Sequence, residues 1–146
     1  MNSINSIIVE GNVVRTPEIH ETQKGSAYCK FAIAVNRWYK SNHGEVQQEV
    51  SFFDIETWND LAKMCAESCE KGRGIRIVGR LRQNRWQDTD GKNQSRVLII
   101  AEHVELKPKF NASPAGEAER GEKDALSDIA EAAFHAHEEQ KAAVAF

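Results

Sequence analysis

The sequence predicts a mainly β fold: five strands curled into a closed barrel, one helix between the third and fourth, and a flexible C-terminal tail. Three observations lead there. Apolar residues alternate with a period of two through most of residues 4–106, and one stretch interrupts them at helical spacing. Two strands carry an internal glycine, Gly11 and Gly79, where a strand can bend around a barrel. Asp90-Gly91 is a hairpin-turn dipeptide between the last two strands.

Ile7, Val9, Gly11 and Val13 share one face of a first strand over residues 4–14, and Gly11-Asn12 marks its bend. Thr16-Pro17-Glu18 breaks the pattern, and residues 23–26 form a turn. The second strand, residues 27–38, sets Ala27, Cys29, Phe31, Ile33 and Val35 on one side. Tyr28, Lys30, Ala32, Ala34 and Asn36 fall on the other. Arg37-Trp38-Tyr39-Lys40 then enters a polar loop over residues 41–45. Neighbouring side chains on a strand point oppositely, so Trp38 and Tyr39 cannot both be core. A third strand, residues 50–58, groups Phe53, Ile55 and Thr57. Phe52, Asp54, Glu56 and Trp58 share its other face. Half acidic and half aromatic, that face suits solvent or a ligand, not a core.

A helix over residues 59–71 has Asn59 as its expected cap and an apolar stripe of Leu61, Met64, Cys65 and Cys69, with Lys71-Gly72 as its stop. The fourth strand places Ile75, Ile77 and Leu81 on one face and Arg76, Arg80 and Arg82 on the other. Arg85 and Trp86 stand near its tip. A final strand, residues 96–106, returns through Val97-Leu98-Ile99-Ile100, and Lys107-Pro108-Lys109 ends the regular part. Strands, helix and strands in this order match a five-stranded oligonucleotide-binding barrel, whose helix plugs one end. Another small α+β domain would share the element list; the bend glycines favour closure. Guanidinium groups beside an exposed indole suit single-stranded nucleic acid, with cations for phosphates and rings for bases.

The net charge of the 146-residue chain is −3, but it is unevenly spread. Residues 1–110 hold 16 Lys/Arg against 14 Asp/Glu, or +2, and residues 111–146 hold 3 against 8, or −5. A weakly positive body with an acidic tail is compatible with a polyanionic ligand. Three cysteines argue against a disulfide framework. Cys65 and Cys69 lack the second pair that a metal site needs, so no metal or cofactor is expected and the thiols read as buried. With no membrane-length apolar run and no secretory n-region, the reading expects a soluble intracellular protein. His20, His43 and His103 are scattered, no nucleophile–base pair stands out, and no glycine loop cradles phosphate, so an enzyme is not expected.

Residues 8–18, Ile-Val-Glu-Gly-Asn-Val-Val-Arg-Thr-Pro-Glu, resemble the opening of bacterial single-stranded-DNA-binding proteins. Phe31-Ala32-Ile33-Ala34-Val35-Asn36 is similar to their second strand. Trp58-Asn59-Asp60-Leu61-Ala62 looks like the start of their helix, and Lys71-Gly72 like its end. Val78-Gly79-Arg80-Leu81-Arg82, then Arg85-Trp86-Gln87-Asp88 and Gly91, resemble their fourth strand and hairpin. The likeness covers about residues 4–107. It implies an oligonucleotide-binding domain over residues 1–108, a homotetramer, and sequence-tolerant binding of single-stranded DNA in replication, recombination and repair. A cytoplasmic, nucleoid-associated location goes with that role. Carried over, the stacking aromatics fall on Tyr39 or Trp38, Phe52, Trp58 and Trp86, and the phosphate contacts on Lys71, Arg82 and Arg85. Strand parity adds Arg76 and Arg80.

The chain departs from the family pattern in places. Asp60 lies where many relatives carry lysine, and Asp54 and Glu56 put carboxylates on the aromatic face. The Ala/Glu-rich tail over residues 109–146 keeps a Phe146 and upstream Glu138-Glu139, but Lys141 interrupts the acidic run and Ile-Pro is missing. Two readings of this tail stay open: recruitment of replication and repair proteins through Phe146, or a solvated, partly helical extension. A different class of function, a protein-recruiting replication accessory factor with secondary DNA binding, fits the same fold. Four rings on one face favour DNA.

Overall fold

A computed structural model describes residues 1–109; the tail and Phe146 lie outside the described residues. Residues 1–107 form one compact unit. The elements are β1 (Ile7–Val13), β2 (Glu18–Glu21), β3 (Ala27–Lys40), β4 (Val46–Trp58), α1 (Asn59–Ser68), β5 (Gly74–Gln87) and β6 (Asn93–Leu106). The sheet runs β1-β5-β6-β4-β3-β2, and a further β1–β3 pairing at Asn12↔Ala34 and Val13↔Ile33 closes it. Five strands therefore make the expected barrel, antiparallel except where β4 meets β6 at Ile55↔Ile99 and Glu56↔Ile100.

Closure depends on two close approaches. Along Ile7 to Asn12, β1 pairs with β5, and at Asn12 it turns to β3. Gly11 sits at that switch, where a Cβ would lie 2.5 Å from the Ala34 carbonyl oxygen. Gly79 sits at the register shift between β5 and β6, where Val78 pairs with His103 and Gly79 with Ala101, leaving Glu102 as the extra residue. A Cβ on Gly79 would overlap the Ile100 carbonyl oxygen. Both bend glycines are needed because partner backbone occupies the space of a side chain.

The inner face of the barrel fills with Val13, Ile33, Ile55, Ile75, Ile77 and Ile99, all essentially buried. Each such side chain contributes about 1.5–3 kcal/mol relative to exposure. α1 adds Ala62 and Cys65 to this cluster, and the Cys29 thiol donates to the Ala62 carbonyl at 3.2 Å. All three cysteines are free and buried.

Five details differ from the sequence reading. Residues 18–21, between the expected break at Thr16-Pro17-Glu18 and the expected turn, form a strand that the sequence does not predict: β2 pairs Glu18–Glu21 with Lys30–Ala27 around the residue 22–26 turn. All four of its residues are exposed, so no burial alternation advertised it. The hairpin arms are longer than predicted, β3 reaching Lys40, β4 starting at Val46 and β6 at Asn93, because their outer residues pair beyond the core. Conversely, β1 begins only at Ile7, and Ile4 is exposed. Asn59 is not the helix cap. Trp58 holds that position without a side-chain bond, and Asn59 has a φ of 55°, which asparagine tolerates better than most residues. Finally, α1 ends at Ser68; Cys69 is already extended and donates its N–H to the Cys65 carbonyl, and Lys71-Gly72 falls in the following turn.

Candidate nucleic-acid interface

Residues directly opposite one another in a sheet share a face. Across β3 and β4 the register sets Tyr28 beside Trp58, Lys30 beside Glu56, Ala34 beside Phe52, and Trp38 beside Gln48. The β4–β6 pairing carries this face on to Ile100. Through β6 it reaches Arg80, then Arg82 opposite Leu98, Asn84 opposite Arg96, and Trp86 opposite Gln94. One outward wall thus collects Trp38, Phe52, Trp58 and Trp86 with Lys30, Arg82 and Arg96. These residues lie far apart in sequence.

The two rings nearest the hairpin tips are the most open, Trp38 at 59% and Trp86 at 49% of full exposure. Phe52 and Trp58 are half-buried. Tyr28 tilts against Trp58 with ring centroids 5.3 Å apart, and His20 lies against the far side of Tyr28 at 5.5 Å. Tyr39 falls on the opposite face of β3. There its hydroxyl donates to Gln47 Oε1 at 3.1 Å and the Arg37 guanidinium lies 5.5 Å from its ring. Of the two aromatics that the sequence left open, Trp38 is the one in register with Phe52 and Trp58. Phe53 shares the inner side with Ile55 and Thr57 as expected, yet it is 37% exposed.

The carboxylates on this wall are not idle. Asp54 pairs with Arg96 at 2.6 Å. Glu56 accepts the Trp58 indole N–H at 2.8 Å, with Arg82 at 3.5 Å and Lys30 at 3.8 Å. Arg85 donates to Gln83 Oε1 at 3.0 Å and lines, with Trp86, Asn93 and Ser95, an open groove of about 560 Å³ along the β5–β6 hairpin. Lys71 stands in the turn after α1, its backbone N–H on Thr16 Oγ1 at 3.2 Å. Asp60 is fully exposed and 3.9 Å from Lys63.

Arg76 is not brought to the aromatics. It joins an ion-pair belt on the β1–β5–β6 wall, held by Glu10 at 2.5 Å and Glu105 at 3.3 Å, with Lys107 also on Glu10 at 2.7 Å. The Lys107 and Arg76 contacts hold the Glu10 carboxyl below its ordinary value, and Glu10 raises Arg76 in turn. Arg80 lies 3.6 Å from Glu102, the bulge residue.

Sequence reasoning passed over Tyr28, Lys30 and Arg96. The signal for the first two was present, since they share strand parity with Trp38. Arg96 gave none, because its parity partners Leu98 and Ile100 are apolar and buried. Among the described residues, no cluster of His, Cys, Asp and Glu is placed to hold a metal ion, and no helix is long and apolar enough to cross a membrane.

A five-stranded barrel plugged by one helix, with an aromatic and cationic outer wall, defines an oligonucleotide-binding barrel. The chain belongs to the single-strand binding protein family, whose family model matches residues 4–107. It is 36% identical over 106 residues to the "Single-stranded DNA-binding protein" of Treponema pallidum, covering 73% of this chain and 59% of that one. It is 33% identical over 128 residues to the protein of the same name from Aquifex aeolicus, covering 88% and 84%. A Deinococcus radiodurans protein of that name is 38% identical over 103 residues, 70% of this chain but 34% of the longer relative. The chain thus spans between about a third and four-fifths of these relatives' lengths. Among solved structures, "Plasmodium falciparum SSB complex with ssDNA" has the same fold, with a TM-score of 0.68 at 19% identity over 74% of this chain and 98% of that one.

Proposed function

We propose that this protein binds and covers single-stranded DNA with little regard to sequence, as a homotetramer, in replication, recombination and repair. The observation that carries the reading is the single outward wall joining Trp38, Phe52, Trp58 and Trp86 to Lys30, Arg82 and Arg96. Stacking one base on one ring is worth about 1–3 kcal/mol whichever base it is. Phosphates find their cations in Arg82 on this wall, in Arg85, which alternates to the other face of β5 with Gln83, and in Lys71. A phosphate reaching Arg76 or Arg80 would compete with Glu10, Glu105 or Glu102, as one reaching Arg82 would compete with Glu56.

Assembly is supported by β1. Its pairing with β3 is confined to Asn12 and Val13, so the edge before them is open, and Ile8 beside it is 69% exposed. An open edge with an exposed apolar residue favours pairing with a second copy. The acidic tail is assigned to recruiting replication and repair proteins through Phe146. On that reading, deleting Phe146 leaves DNA affinity unchanged and removes binding to such partners.

Competition tests the reading. With a labelled dT oligomer bound, unlabelled single strands of differing sequence should displace it about equally, and duplex of the same length should not. Displacement by one sequence only, or equally by duplex, contradicts it. Light scattering of the free protein at a monomer's mass would remove the tetramer.

A further inference from the structure

We propose that Glu56 is a positioning residue of the nucleic-acid wall: it fixes the Trp58 indole for stacking and withholds from phosphate part of the charge of Lys30 and Arg82. The proposal rests on the reading that this wall binds single-stranded DNA.

Glu56 occupies an outward position on β4, between Asp54 and Trp58, yet it is only 4% exposed. A carboxylate taken out of water in this way persists only when its oxygens are paired. Here three groups pair them. The Trp58 indole N–H, a donor with no acceptor capacity, meets Oε1 at 2.8 Å. Arg82 approaches the same oxygen at 3.5 Å, and Lys30 reaches Oε2 at 3.8 Å. With Tyr28 tilted against its ring at 5.3 Å, Trp58 is gripped by one polar and one apolar contact. A ring already held in place loses little further freedom when a base stacks on it, and that raises affinity.

The same carboxylate has an opposite electrostatic effect. Lys30, Arg82 and Glu56 together offer one net positive charge where the two cations alone would offer two. Glu56 therefore trades phosphate attraction for ring placement, and the two effects separate by substitution. Glu56→Gln keeps an acceptor oxygen for the indole and removes the charge. Glu56→Ala removes both.

The experiment titrates a dT oligomer into the full chain, the two variants, and each variant combined with Trp58→Phe, over a range of salt. Glu56→Gln should bind more tightly at low salt, with the slope of log affinity against log salt steeper by about 0.7, one net charge on a single strand. Glu56→Ala should share that slope but bind about two- to tenfold more weakly than Glu56→Gln, the worth of one hydrogen bond. With Trp58→Phe, which keeps a ring and lacks the N–H, that ratio should fall to one. An unchanged slope in Glu56→Gln overturns the charge role, a purely structural Glu56 moving the melting temperature alone. Equal affinities of the two variants, or a ratio that survives Trp58→Phe, overturn the positioning role. If Glu56→Ala does not fold, the Glu56→Leu variant makes the same comparison. A wild-type chain that binds no oligomer would instead remove the underlying reading.

Discussion

Trp58 and Asn59, at the junction of β4 and α1, carry two different burdens. On the proposed function Trp58 is a stacking ring, and Trp58→Ala should weaken single-strand binding by about 1–3 kcal/mol, alike for every sequence tested. A sequence-selective loss, read by direct titration, would mean base-edge readout instead. Asn59 carries the chain's turn into α1 at φ 55°. Asn59→Gly should be tolerated, while Asn59→Val, with a branched Cβ in the left-handed region, should lose about 1–2 kcal/mol in urea unfolding. At this scale the sequence was partly legible. Parity alone placed Phe52 and Trp58 on a face no core accepts. It could not choose between Trp38 and Tyr39, because that depends on which residues of β4 lie opposite. Nor could it show that Glu56, outward by parity, would be covered by Trp58, Arg82 and Lys30.

At the scale of elements, the barrel depends on where backbone meets backbone. Gly79→Ala would drive a Cβ into the Ile100 carbonyl and should destabilise by about 1–3 kcal/mol in urea unfolding, with Gly11→Ala in the same direction. A neutral Gly79→Ala would mean that the bulge is not what closes the sheet. Cys29 of β3, Cys65 of α1 and Cys69 just after it all lie in the buried core cluster. Burial raises the Cys29 thiol, and a hydrogen bond with Cys69 followed by burial raises Cys65. The same hydrogen bond holds Cys69 lower, but all three thiols are buried, so native protein should react slowly with a thiol reagent and all three should become reactive only on unfolding. The barrel strands and α1 were legible because they alternate or repeat around a core. β2 and the hairpin tips were not, since their residues pair in solvent and their side chains carry no burial pattern.

At the scale of the whole molecule, charge on the described residues is arranged by wall. The Glu10–Arg76–Lys107 belt is fully formed only while Glu10 is ionised. Its folded pKa lies below the ordinary 4.5, so its contribution is complete above that value and fades as pH falls through the folded pKa. Glu10→Gln should therefore lower stability at neutral pH and flatten the loss on acidification, as followed by thermal melts between pH 3 and 7. On the aromatic wall the carboxylates Asp54 and Glu56 temper the cations without removing them, so binding should respond to salt. The measurement that tests this account most directly is a titration of poly(dT) followed by tryptophan fluorescence at low and high salt. Bases stacking on Trp38, Trp58 and Trp86 should quench the emission strongly at low salt, with affinity falling as salt rises. Unquenched emission together with no tight binding at low salt would contradict it.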